Sequence, residues 1–280
     1  MKNLVVIPNV TKDAGLTVTH QVVKRLLDLG FCVYLHSDVK YTCDGIVTYD
    51  ELPESIDMMV VIGGDGSVID ASVLAVERDI PILGVNLGRM GYLTEVEVDD
   101  IAELDKLASS EYSVIEKMLL SVELPKGKIC DRLAVNEVTV ARDSFLHIAD
   151  IKIEDSINNA VKLRADGVIL STPQGSTAYS FSAGGPILAH DVEGILLTPI
   201  SAHSFFNRSV LFNSSDVIKV TNVGSSPLNI NVDGRSIGAL LPNEFCNVRR
   251  ATKNVKILTF KKNSMFSSLF KKMRILGDIN

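Results

Sequence analysis

Met58-Met59-Val60-Val61-Ile62-Gly63-Gly64-Asp65-Gly66-Ser67 carries an unbroken apolar run straight into a glycine-rich turn. Apolar residues that do not alternate with polar ones predict a strand buried on both faces, as in a parallel sheet covered by helices. Residues 68–76 read as the helix that follows the turn, and Ile80-Pro81-Ile82-Leu83-Gly84-Val85 reads as the next buried strand. Upstream, residues 4–8 form a short apolar strand and 16–29 carry apolar residues at helical spacing. Gly30 stands where a helix C-cap is expected, and 31–36 are β-rich. A short helix is expected over 101–107. This alternation predicts a Rossmann-like parallel α/β domain, which we place at residues 1–113.

From about residue 112 the texture changes. The segments 119–124, 133–141, 148–153, 167–171, 217–223, 228–232 and 255–260 are short and rich in β-branched residues. Turn signals such as Asn222-Val223-Gly224-Ser225-Ser226-Pro227 punctuate them. They predict an all-β C-terminal domain over residues 114–260. Residues 264–275 read as a helix with Met265, Phe266, Leu269, Phe270 and Met273 on one side. We expect 261–280 to pack back on the first domain, with Lys261, Lys262, Lys271, Lys272 and Arg274 in water. A membrane-surface helix is the less favoured reading, because the segment is short and the protein acidic.

The chain has 280 residues, 46% hydrophobic and 22% charged, which suits a two-domain globular protein. Its net charge of −6 argues against nonspecific nucleic-acid binding. No apolar run approaches the roughly 20 residues that span a bilayer, and the N-terminus carries no signal-peptide pattern. Cys32, Cys43, Cys130 and Cys246 are widely spaced and lack C-x-x-C or zinc-ligand spacing. A reduced, cytoplasmic setting is therefore expected.

Where a parallel strand feeds a helix, the crevice at the strand's carboxyl end is the usual ligand site. Gly64 and Gly66 would let a phosphate approach the main chain, beside the N-terminus of the following helix. A plain phosphate cradle avoids negative charge, so Asp65 points to a role in holding a metal or taking a proton from an attacking hydroxyl. A P-loop is excluded because no lysine follows these glycines. The dinucleotide fingerprint fails because Ile69 stands where its last glycine belongs. By themselves these glycines also fit a purely structural turn. A second region, residues 166–180 followed by Gly184-Gly185-Pro186, runs from a buried strand into a loop rich in hydroxyls and glycine, with Tyr179 as an aromatic face.

Taken in order, these residues resemble the NAD kinases over nearly the whole chain. The resemblance rests on Gly63-Gly64-Asp65-Gly66, Asn86-Leu87-Gly88-Arg89-Met90-Gly91-Tyr92-Leu93 and Asn136-Glu137. It also rests on Thr172-Pro173-Gln174-Gly175-Ser176-Thr177-Ala178-Tyr179 with Ser182, and on Val232-Asp233-Gly234. The G-G-D-G turn alone is shared with lipid kinases and phosphofructokinases; the T-P-x-G-S-T-A-Y segment with Asn136-Glu137 is much more specific. The resemblance implies transfer of a terminal phosphoryl group from ATP, or polyphosphate, to the 2′-hydroxyl of the adenosine ribose of NAD, giving NADP. It further implies a divalent cation, usually magnesium, a nucleotide cleft between the domains, and a homo-oligomer, dimer or tetramer.

Carried over by position, the resemblance makes Asp65 the general base and Gly64 and Gly66 the holders of donor phosphates. Asn136 and Glu137 would bind the nucleotide, an amide reading an adenine edge and a carboxylate accepting from ribose hydroxyls. Thr177, Ala178, Tyr179 and Ser182 would line the riboses. Asp166 would receive base or carboxamide N–H groups, from this or a neighbouring subunit, and Asp233 would face phosphates or metal. Asp233-Gly234 also reads as a plain hairpin turn. The chain departs from the family with Gln174 in place of threonine or serine, Ser67 in place of threonine, and an unusual Pro199-Ile200-Ser201-Ala202-His203-Ser204. Arg164 offers a cation for phosphate, against an equally good reading as a solvated surface arginine. The other readings are a lipid or sugar kinase of the same superfamily, or a noncatalytic NAD-binding regulator; Asp65 in the turn disfavours the latter.

Overall fold

The computed structural model describes residues 2–88, 91–143, 147–189, 191–203 and 205–260. They form two compact units: residues up to Glu116 together with the chain from Val255, and Lys117–Asn254.

The first unit contains strands β1 (Asn3–Pro8), β2 (Cys32–His36), β3 (Ile46–Tyr49), β4 (Met58–Gly63), β5 (Ile82–Asn86) and β6 (Val96–Glu97). Helices α1 (Thr17–Asp28), α2 (Asp65–Arg78) and α3 (Asp105–Ala108) connect or follow them. The strands run parallel in the order β5-β4-β1-β2-β3, with β6 beside β5. β4 lies between β1 and β5 and all its residues are buried, which is why its sequence is apolar without alternation. Helix α1 turns Thr19, Val22, Val23 and Leu26 inward at one-face spacing, onto Leu4, Val6, Val33 and Val60 of the sheet. The expected helix at 101–107 is a 3-10 segment, Val98–Leu104, running into α3.

This strand order has a functional consequence. From β1 the chain moves to β2 on one side, while β4 and then β5 lie on the other. The connections reverse direction between β1 and β4, so the crevice beyond their carboxyl ends is the topological switch point where ligands of open α/β sheets bind. The loop after β1 and the glycine turn after β4 both open there.

The second unit begins within β7 (Ser113–Glu123). It continues through β8 (Glu137–Arg142), β9 (Ala149–Glu154), β10 (Ala160–Ala165), β11 (Gly167–Ser171) and the single-turn helix α4 (Tyr179–Ser182). Strands β12 (Gly194–Ile200), β13 (Val210–Asn213), β14 (Val217–Asn222), β15 (Leu228–Val232), β16 (Arg235–Leu240) and β17 (Phe245–Thr259) follow. One antiparallel sheet runs β13-β12-β11-β8-β15-β16; the other runs β10-β9-β14-β17, with β7 beside β17. Val138, Val140, Val168, Leu170, Ile195 and Ile230 of the first sheet share a core with Ile151, Ile153, Val220 and Val248 of the second.

The expected α/β domain followed by a β domain is the architecture observed. The divisions fall inside β7 and β17, whereas the sequence reading put the second after the strand. β17 is one continuous strand with no glycine or proline near Val255, so nothing in the sequence marks that point. Its last residues join the first sheet, where Ile257 pairs with Ile82 of β5. The expected terminal helix at 264–275 and the packing of 261–280 lie outside the described residues. No helix among the described residues is long and apolar enough to cross a membrane. All four cysteines are free thiols.

Candidate active site

Helix α2 begins at Asp65 itself, three residues before the expected start, so Asp65 sits in the first helical turn with Gly64 as N-cap. A carboxylate there gains from the helix dipole, on the order of 0.3–1 kcal/mol. The Asp65 carboxylate is turned toward a segment outside the helix. Its Oδ2 accepts the main-chain N–H of Tyr92 at 2.8 Å and its Oδ1 that of Leu93 at 2.9 Å. Each oxygen accepts one main-chain N–H and keeps a second lone pair. Burial, and secondarily the charge of Asp65, push the Tyr92 phenol above its ordinary range. Gly63 has to be glycine because a side chain there would run into that of Ser67.

The loop after β1 meets this turn. Asn9 donates from Nδ2 to Ser67 Oγ at 2.9 Å, tying the loop to α2, while its Oδ1 accepts Lys12 N–H at 3.1 Å. At the loop's other end Asp13 is buried and accepts the N–H and hydroxyl of Thr19 at 2.8 and 2.7 Å. Burial raises the pKa of this carboxyl, but the hydrogen bonds from α1 outweigh it and hold the group below its ordinary range. Between these two anchors Lys12 brings its Nζ to 3.3 Å from where a Gly64 side chain would begin. The sequence reading missed Lys12. A lysine in a β1 loop is unremarkable until the strand order sets that loop beside the turn after β4.

In the second unit the Asn136-Glu137 loop is built from beneath by Asp233. Asp233 and Gly234 both have positive φ, 47° and 78°, as the two-residue turn between β15 and β16 requires. The Asp233 carboxylate accepts the N–H groups of Val135, Asn136 and Glu137 at 2.8, 2.9 and 2.9 Å. Three main-chain donors engage this carboxylate, so it shapes the Asn136-Glu137 loop. The 172–179 segment closes on the same loop. Thr172 donates its N–H to Asn136 O at 2.9 Å and its hydroxyl to Val135 O at 2.7 Å, and Gly175 leaves no room for a side chain against Asn136 O.

Glu137 is 8% exposed, accepts the N–H of Tyr179, and has a buried Oε2 with no partner among the described residues. Burial first, then the negative charge of Asp233, push its carboxyl up to about 7 against the opposing bond from Tyr179. Gln174 is also buried with an unpartnered Oε1. Thr177, Ala178, Tyr179 and Ser182 lie along the outer side of this segment, partly or well exposed. Ser176 and Ser180 are fully buried and structural, the first bonded to Pro173 O, the second to Thr198.

The structure therefore gathers Asn136, Glu137, Thr177, Ala178, Tyr179 and Asp233 at one end of β8 and β11, where Glu137 pairs with Ser171. Arg164 and Asp166 are not gathered with them. They stand before Gly167, at the other end of β11, roughly 13 Å away at strand spacing. Asp166 pairs with Arg142 at 2.9 Å, and Arg164 pairs across the sheet with Asp150 at 3.1 Å on an exposed face. His203 donates its N–H to Arg164 O; Ser204, like Arg89 and Met90 of the earlier motif, lies outside the described residues. Among the described residues no group of three His, Cys, Asp or Glu could hold a metal ion.

A family model described as the ATP-NAD kinase N-terminal domain matches residues 4–112, and one described as the ATP-NAD kinase C-terminal domain matches 135–260. The NAD kinase of Thermoanaerobacter sp. (strain X514) is 34% identical over 281 residues, covering 98% of this chain and 99% of that protein. The NAD kinase of Geobacter sulfurreducens is 36% identical over 234 residues, 82% of each chain. Among solved structures, yeast NADH kinase complexed with NADH superposes with a TM-score of 0.86 at 21% identity, covering 100% of this chain and 89% of that one. An NAD kinase from Archaeoglobus fulgidus in complex with ATP gives 0.74 at 24%, covering 99% and 100%. Both structural likenesses concern the fold.

Proposed function

The chain belongs to the NAD kinase family, and we propose that it transfers the terminal phosphoryl group of ATP to the 2′-hydroxyl of the adenosine ribose of NAD. The observation that carries this reading is the placement of Asp65: a carboxylate at the glycine turn of the switch point, oriented by two main-chain donors from outside its own helix. Asp65 takes the 2′-hydroxyl proton as the ribose oxygen attacks the terminal phosphorus. The new O–P bond forms, the bond to the leaving ADP oxygen breaks in line, and NADP and ADP result.

Gly64 and Gly66 would present main-chain N–H groups to the donor phosphates, with Lys12 as the cation beside them. Asn136 would read the adenine edge, and Glu137 would accept from ribose hydroxyls; its unpartnered Oε2 is an acceptor waiting for a donor. Thr177, Ala178, Tyr179 and Ser182 would line the riboses. Asp233 would act through the loop it shapes. A divalent cation, magnesium by preference, would neutralise charge on the donor phosphates. The donor phosphates would supply most of that ion's coordination. Asp166, just before β11, and Arg164, near the end of β10, would reach only a distant part of an extended dinucleotide or a nucleotide on a neighbouring copy in a homo-oligomer.

Incubating purified protein with NAD, ATP and magnesium tests the reading, with NADP as the expected product. Polyphosphate in place of ATP tests the donor. Measurable NAD binding without NADP under any donor or metal would favour a noncatalytic regulator.

A further inference from the structure

Asp65 is not held by its own helix but by the segment 91–94, and that segment is itself built onto the sheet. Glu95 donates its N–H to Gly84 O in β5 at 2.9 Å. Gly84 admits the segment because a side chain would begin 2.9 Å from Leu93 O and from Thr94 Cα. Tyr92 and Leu93 then present their N–H groups to the carboxylate. A side chain at Gly91 would overlap Asp65 Oδ1 and stand 2.5 Å from Thr94 Oγ1, so the carboxylate and this hydroxyl share one side of Gly91. Thr94 Oγ1 is buried and has no hydrogen-bond partner among the described residues. A buried hydroxyl without a partner is costly to keep, and here it lies beside the carboxylate the reaction needs.

We propose that Thr94 is a positioning residue for Asp65: its hydroxyl donates to Oδ1 during transfer, so that Oδ2 is the oxygen left to take the ribose proton. Gly91 makes this possible by leaving the space between them open. The inference rests on the reading of Asp65 as the base. Leu93 N–H and Thr94 O–H then fill the acceptor sites of Oδ1, while Oδ2 holds Tyr92 N–H and one open lone pair.

The test compares Thr94→Val, Thr94→Ser and Gly91→Ala with the unmodified enzyme in steady-state kinetics and thermal unfolding. Thr94→Val is expected to lower kcat about tenfold with KM for NAD and ATP within about threefold, the signature of an interaction made only in the transition state. Its unfolding midpoint should be unchanged or higher, because an unpartnered buried hydroxyl has become a methyl group. Thr94→Ser should restore turnover. Gly91→Ala should lose more turnover than Thr94→Val, through displacement of Asp65. Wild-type kcat in Thr94→Val, or no rescue by serine, would overturn the proposal. A control with Asp65→Asn separates the two failures. If Asp65→Asn is inactive while Thr94→Val is normal, only the role of Thr94 falls. If Asp65→Asn turns over normally, the base assignment falls and Thr94 has nothing to position.

Discussion

Glu137 gives the site a pH dependence whose sign is fixed by proton counts. Between the ordinary carboxyl value of 4.5 and about 7, the folded state holds a proton that the unfolded chain has already lost. Stability therefore falls as pH rises through that window, by about 3 kcal/mol for a shift of this size in a buried group. Glu137→Gln, neutral at every pH, should gain stability relative to the unmodified protein from pH 4.5 to 7 and hold a constant advantage above. Parallel denaturation series read this directly; a gap independent of pH would show that Glu137 ionises normally. At the donor turn, Lys12→Met should raise KM for ATP about tenfold and leave KM for NAD nearly unchanged. Equal effects on both would place Lys12 elsewhere. Asp65 stood out because a carboxylate is unexpected at a glycine-rich turn, whereas Asn136-Glu137 was singled out only by the family resemblance. Lys12 and Thr94 stood out in neither way. A lysine in a loop and a threonine after a leucine carry no pattern, and their roles arise only from neighbours distant in the chain.

At the scale of elements, the β15–β16 hairpin acts as a support. Its turn residue Asp233 reaches back to three consecutive N–H groups of the 135–137 loop. Asp233→Asn keeps a residue that tolerates positive φ but offers one acceptor oxygen in place of two. The expected loss is about 1–3 kcal/mol, the cost of leaving buried donors unpaired, together with weaker NAD binding from a loosened Asn136-Glu137 loop. Chemical denaturation and a binding titration check both; full stability would mean that the loop holds itself. The sequence reading reached β4, α1 and most inward-facing strands because burial writes itself into apolar pattern. It did not name β3, β10 or β13, short strands that are half or more exposed, nor β16, an edge strand that is mostly exposed and contains Gly238, nor β12, where Pro199 weakens the strand signal. It started α2 late because Asp65-Gly66-Ser67 carries turn residues, although Asp65 at a helix start is favoured by the dipole.

For the molecule as a whole, the two units differ in how the chain builds them. The second is continuous, Lys117–Asn254, with its own core between two sheets. The first is assembled from distant parts of the chain, since Leu258 joins its core and Ile257 pairs with β5. A fragment comprising 117–254 should therefore fold alone with a cooperative thermal transition, whereas a chain ending at 254 should lose stability in the first unit. Calorimetry of both fragments tests this, and a 117–254 fragment without a transition would contradict it. The two-domain composition was legible because one half reads as alternating helices and buried strands and the other as short β segments. The change of texture near residue 112 marks the first division within a few residues, whereas the second falls inside the uninterrupted strand β17.

The measurement that bears most directly on the base assignment is turnover and NAD affinity of Asp65→Asn. The amide keeps the size of the side chain but cannot take a proton. Turnover is predicted to fall by about 10²–10⁴, the range of general-base contributions, with the Kd for NAD within about threefold. Turnover close to that of the unmodified protein would contradict the account.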